Sequence, residues 1–310
     1  MSLILQLVIF GISAVALIWS ADFLVKNSEK LGNSLKLPHF ITGVLILSIG
    51  TSLPELATGI ASMLRDEPDM LLGNVIGSDV ANILLGLGFL ALITRKNIEY
   101  HQQIFEVHFP IFMISVFMLV VTLWDNVITP TEGILFLLVM AAYIWFLFSA
   151  KKNSKKEKHH QKFSWKFVVF ILIGIAGLVT ASHFLIDSVI NLSTICGLGK
   201  ASLAATLVAV GTSIPELVVG YSAIKRKNTE MVIGNILGSN IFNIVLILSI
   251  GSFIAPISAS AITMQVMLPF LVGTVLVYWV ASKDKKITIQ EGAGMTVLYV
   301  LFLGKLFGFL

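Results

Sequence analysis

The sequence predicts an all-α membrane protein of ten transmembrane helices arranged as two inverted five-helix repeats. Three observations carry this expectation: an apolar composition laid out in long runs, a pair of motifs that recurs at one fixed offset, and basic residues confined to alternate loops. Of 310 residues, 56% are hydrophobic and 12% charged, about half the charge of an ordinary soluble domain. The apolar residues do not form the amphipathic stripes of a large soluble protein. They form runs near the ~20 residues that a helix needs to cross a bilayer. Lipid offers no partners to backbone groups, so each run is read as a helix.

The spans are expected near residues 3–25, 38–64, 70–93, 104–124, 129–149, 167–192, 200–224, 231–256, 262–281 and 287–308. The first basic residue is Lys26, so the first span lacks the charged leader of a cleaved signal peptide and reads as a retained helix. A single cysteine, Cys196, excludes an internal disulfide and a cysteine-based metal site.

The run Gly50-Thr51-Ser52-Leu53-Pro54-Glu55-Leu56 returns as Gly211-Thr212-Ser213-Ile214-Pro215-Glu216-Leu217, an offset of 161. At the same offset Gly73-Asn74-Val75-Ile76-Gly77-Ser78 returns as Gly234-Asn235-Ile236-Leu237-Gly238-Ser239, and Asn82 falls on Asn243. Two greasy helices share scattered Leu and Ile by chance, but not two matched polar motifs at one spacing. The halves are therefore set at residues 1–149, with the duplicated core at 41–93, and 167–310, with the core at 202–254. A basic linker, 150–166, joins them. Five spans per half give the halves opposite orientations. That is the plan of many secondary transporters, whose substrate site lies at the repeat interface near mid-membrane.

The net charge of +4 is no nucleic-acid footprint. With the N-terminus placed outside, 18 of the 21 Lys and Arg residues fall in inward loops, seven of them between Lys151 and Lys166. Only Arg65, Lys200 and Lys305 fall outside. This is a strong positive-inside pattern, and it places both termini externally.

Glu55 and Glu216 lie well inside their spans. A carboxylate there costs at least ~2.5 kcal/mol, so it is a functional candidate by default; a protonated Glu bonded to a neighbouring helix is the structural alternative. Pro54 and Pro215 stand one residue before each Glu and, with Gly50 and Gly211, predict a break that is tolerated only in a polar cavity or under protein cover. Thr51, Ser52, Thr212 and Ser213 add hydroxyls at the break. Ser78, Asn82, Ser239 and Asn243 add oxygens from the third and eighth spans, each Asn sharing a helix face with the Ser four residues before it. An all-oxygen set suits hard cations such as Ca²⁺ and Na⁺ rather than zinc or copper. Asp79 has Asn240 at the matching place and so lacks symmetric support. Asp22, His183 and Asp187 read as interfacial or interhelical. Gly73, Gly77, Gly234 and Gly238 are expected to permit close helix packing.

These motifs resemble those of the calcium/cation antiporter superfamily, and most of all the short prokaryotic sodium/calcium exchangers. The resemblance spans the ten-helix layout. It implies exchange of Na⁺ for Ca²⁺ by alternating access, calcium on Glu55 and Glu216 with Thr51, Thr212 and their neighbours, and sodium bound by the carbonyls of Ser48 and Ala209 together with Ser52, Ser78, Ser213 and Ser239. It implies no enzyme activity, no cofactor and no nucleic acid or protein partner beyond the lipid bilayer. Some relatives, potassium-dependent exchangers among them, carry Asp where this chain has Asn243. With two carboxylates balancing one Ca²⁺, exchange is expected to need no potassium. The competing reading is a proton/cation exchanger of the same superfamily, whose core usually runs GN-x-x-E in place of GTS-x-PE. A channel fits an internal inverted repeat less well, and an intramembrane hydrolase would need a catalytic pair that the sequence lacks.

Overall fold

The computed structural model describes residues 3–95, 97–100, 102–153, 162–195 and 213–309. Helix α1, Leu3–Ser34, outruns its expected span by about two and a half turns. Nothing in residues 26–34 forbids a helix, and the first hard barrier is Pro38, which bars the residue before it from helical geometry. The second span is two helices, α2 (His39–Thr51) and α3 (Leu53–Met63), bent by 42° at Ser52. Pro54 therefore starts a helix instead of kinking one: it sits in the first turn of α3, where its missing N–H costs no bond.

The third span is α4 (Pro68–Thr94), ended by Arg95 in the left-handed region. Then come β1 (Ile98–Glu99), α5 (Gln102–Thr122), β2 (Val127–Ile128), α6 (Pro130–Asn153) and α7 (Trp165–Ile195). In the second half α8 (Ile214–Lys225) begins at the edge of the described residues, so the first part of the expected span 200–224 lies outside them. It is followed by α9 (Thr229–Ile254), β3 (Ile257–Ser258), α10 (Thr263–Ala281), β4 (Lys286–Ile287) and α11 (Ile289–Leu306). Among the described residues, seven helices are long and apolar enough to cross a membrane, and the bent α2–α3 pair makes an eighth.

Local devices recur between the halves. A π turn interrupts α4 at Ala81–Leu87 and α9 at Asn243–Ile247. The Glu132 carboxylate accepts from Thr129 N at 2.8 Å as that of Glu291 accepts from Thr288 N at 2.7 Å; both close capping boxes. Two short antiparallel pairings lie outside the all-helical expectation: β1 with β4, and β2 with β3. The apolar member of each, Ile98 against Ile287 and Ile128 against Ile257, is buried and closes one end of the core. Two residues are too few to leave a strand pattern in the sequence.

The core is layered by exposure. Helices α9 and α4 are the most enclosed, while α1, which packs mainly on α7, and α6 turn most of their surface outward. All five tryptophans stand exposed. Such a surface belongs in lipid, where apolar side chains lose nothing by facing out.

Candidate functional site

The site is built where α2 crosses α9 at backbone contact. A Cβ on Gly43 would lie 2.6 Å from the Met231 carbonyl oxygen and 3.1 Å from Asn235 N, and one on Gly238 would lie 2.6 Å from Ser48 Oγ. Only glycine permits this approach. Close packing thus holds at Gly234, which abuts Phe40 and Val44, and at Gly238. At Gly73 and Gly77 the nearest described atoms, on Met267, are at ordinary contact distance. The crossing brings Thr51, at the end of α2, to the opposite half. Its hydroxyl donates to Asn235 Oδ1 at 3.4 Å, lies 3.4 Å from Ser239 Oγ, and also reaches the Ser48 carbonyl at 3.3 Å.

Glu55 and Glu216 occupy equivalent places, in the first turns of α3 and α8 behind the N-cap residues Ser52 and Ser213. Breaking the span makes these helix starts, and the positive end of each favours a carboxylate. Both side chains are buried, and the charge of Glu216 acts on Glu55. Among the described residues none of their four carboxylate oxygens has a hydrogen-bond partner, and neither do Ser52 Oγ, Ser213 Oγ, Asp79 Oδ2, Asn82 Oδ1 and Asn243 Oδ1. A buried polar atom left unpaired costs roughly 1–3 kcal/mol. Oxygen atoms of this kind can meet that cost by binding a hard cation. Among the described residues no three Asp, Glu, His or Cys side chains could share one ion, so a cation here would need neutral oxygens beside the carboxylates.

The remaining expected ligands divide. Ser48 Oγ bonds the Val44 carbonyl, while its own carbonyl accepts from Ser52 N at 2.9 Å. Ser78 and Ser239 are buried on α4 and α9. Thr212 and Ala209 lie outside the described residues. Asp22 is engaged elsewhere: Arg226 grips both its oxygens at 2.8 and 2.9 Å, and Ser222 donates to it at 3.0 Å. His183 and Asp187 pair with each other at 3.4 Å on an exposed face.

Asp79 is the residue that the sequence reading set aside. Its Oδ1 accepts from Asn243 Nδ2 at 3.0 Å, and its backbone carbonyl accepts from Asn240 Nδ2 at 3.2 Å. Asn82 Nδ2 in turn donates to Asn240 Oδ1 at 3.0 Å. The signal was the spacing: Asp79 stands three residues before Asn82 and so shares its helix face.

A sequence model of the family described as "Sodium/calcium exchanger protein" matches residues 5–149 and 166–308. Inner membrane protein YrbG of Escherichia coli is 30% identical over 83% of this chain and 81% of its own length. Sodium/calcium exchanger MaX1 of Methanosarcina acetivorans is 26% identical over 94% of this chain and 96% of its own. Among solved structures, the sodium-calcium exchanger NCX_Mj soaked with 2.5 mM Na⁺ and 1 mM Sr²⁺ superposes with a TM-score of 0.82 at 27% identity, covering 97% of this chain and 98% of that one. With the motif residues gathered as described and the match running through both halves, this chain is an integral membrane protein that belongs to the sodium/calcium exchanger family.

Proposed function

We propose that the protein exchanges Na⁺ for Ca²⁺ across the membrane by alternating access, with the ions held at mid-membrane between two inverted five-helix halves, 1–149 and 167–310. The observation that supports it most is that the oxygens of Glu55, Glu216, Ser52 and Ser213, at matching places in both halves, are buried and without hydrogen-bond partners among the described residues. Glu55 and Glu216 neutralise one Ca²⁺. Thr51, Thr212, Ser78, Ser239, Asn82 and Asn243 complete the neutral oxygens, and Ser48 and Ala209 contribute carbonyls toward sodium.

The exchange logic follows from charge. Two ionised carboxylates without cations are expensive in a medium of low dielectric. The site therefore crosses between its two faces filled, by one Ca²⁺ or by sodium ions, and the two substrates compete for the same oxygens. Rocking of one half against the other is the movement that inverted repeats allow.

Ten spans with both termini outside agree with the cross-loop links. β1 and β4 join loops that the charge pattern puts inside, as does the Asp22–Arg226 pair. β2 and β3 join loops that it puts outside, and Asp69 Oδ1, which accepts from Ser260 N at 2.7 Å, is on that side too.

The test is calcium uptake into proteoliposomes loaded with sodium. Uptake should follow the outward sodium gradient. Uptake driven equally well by a proton gradient, with sodium having no effect, would replace this reading with proton/cation exchange.

A further inference from the structure

We propose that Asp79 makes the Asp79–Asn82–Asn240–Asn243 tetrad a second cation position, for a monovalent ion of sodium's class, beside the Glu55–Glu216 pair. The inference rests on the exchange reading above and adds a binding residue to it.

The tetrad joins α4 to α9 by two bonds that are mates under the 161-residue offset. Asn82 donates to Oδ1 of residue 240, and Asn243 donates to Oδ1 of residue 79. Positions 79 and 240 therefore do the same packing job, one as a carboxylate and the other as an amide. Asn240 shows that an amide suffices for that bond. A carboxylate at 79 adds nothing to that bond, and it is fully buried. A buried charge left without an opposite charge costs several kcal/mol. Among the described residues no Lys, Arg or His pairs with Asp79. Among the described residues its second oxygen, Oδ2, has no partner, and neither do the Oδ1 atoms of Asn82 and Asn243 in the same tetrad. The tetrad thus holds one carboxylate oxygen and two amide oxygens that are buried and accept no bond from a described residue.

The ion is set by charge and grouping. Asp79 does not join both glutamates around a single ion, since no three acidic side chains among the described residues come close enough to share one. It is still near enough for its charge to act on Glu55. A separate, neighbouring position with one negative charge matches a monovalent cation. A divalent ion there would leave an uncompensated positive charge in low dielectric.

The experiment measures calcium binding to the purified full-length chain by equilibrium dialysis with radioactive Ca²⁺, and its displacement by Na⁺. The key variant is Asp79→Asn, whose Oδ1 accepts the same bond from Asn243 and which removes only the charge. Calcium binding without sodium should stay within about threefold of wild type. The sodium concentration for half-displacement should rise about tenfold, ~1.4 kcal/mol, with the sodium Hill coefficient lower by about one. Sodium displacement unchanged from wild type would make Asp79 a packing residue and overturn the proposal. So would loss of calcium binding in the folded variant, which would make Asp79 a calcium ligand. If Asp79→Asn does not fold, the double variant Asp79→Asn with Asn243→Asp decides, since it keeps one carboxylate and one amide on the same bond. It should show wild-type sodium cooperativity, and a folded double variant without that cooperativity would refute the idea. Failure of the wild-type protein to bind calcium would instead overturn the exchange reading, so the two failures are distinguishable.

Discussion

Gly43→Ala probes the helix crossing on which the site depends. The added methyl would sit 2.6 Å from the Met231 carbonyl oxygen, and ordinary contact begins at 3.4 Å. The crowded atoms, Met231 O, Met231 Cα and Asn235 N, are all backbone of α9, so no rotamer change relieves them. Helices α2 and α9 must part locally by about 0.8 Å, the difference between those two distances. Overpacking of this kind costs about 1–3 kcal/mol, and the backbone character of the clash puts it at the upper end. The better helix propensity of Ala returns at most about 1 kcal/mol, leaving a net loss of about 2 kcal/mol. The same parting breaks the Thr51 contacts with Asn235 and Ser239, which at 3.4 Å are already long. Calcium affinity should then weaken about tenfold, ~1.4 kcal/mol. The assay is thermal unfolding of purified protein in detergent beside calcium dialysis, with Gly273→Ala as control because nothing lies within 4 Å of its Cβ. The control should be as stable as wild type or more so. Equal melting temperatures and affinities for the two variants would refute the reasoning.

Glu55→Gln and Glu216→Gln should each leave a folded, monodisperse protein and abolish calcium-dependent flux, because each leaves Ca²⁺ with half its charge compensation in low dielectric; wild-type flux in either variant would sink the assignment. A cysteine placed at Ser154 in a Cys196→Ala background should resist an impermeant thiol reagent on intact cells, and strong labelling would show that the linker lies outside. Sodium-driven calcium flux should persist in potassium-free choline buffer. Flux that collapses without potassium and returns on adding it would refute this reading.

Most of the span positions were legible because apolar runs without Lys or Arg have few alternatives to crossing lipid. The glutamates were legible because an intramembrane carboxylate repeated at one offset has no cheap structural use. The length of α1 was not, since residues 26–34 are polar enough to read as loop yet contain nothing that stops a helix. The break between Gly50 and Pro54 was legible too, and it falls at Ser52 because proline is accommodated best in a first turn. Asp79 was missed by comparing like with like. An Asp opposite an Asn looks like a failed match along the sequence, whereas in three dimensions it is half of a matched pair of bonds.

The two small strand pairings bear on how the chain is made. Ile98–Glu99 pairs with Lys286–Ile287, a segment made long after it, and Val127–Ile128 waits for Ile257–Ser258. Until then the edges of β1 and β2 stand open, and open strand edges invite wrong partners. Contacts so distant along the chain form late, because long loops must close first. Each pairing therefore ties an early segment of the chain to a late one, and neither can form until the later segment has been made.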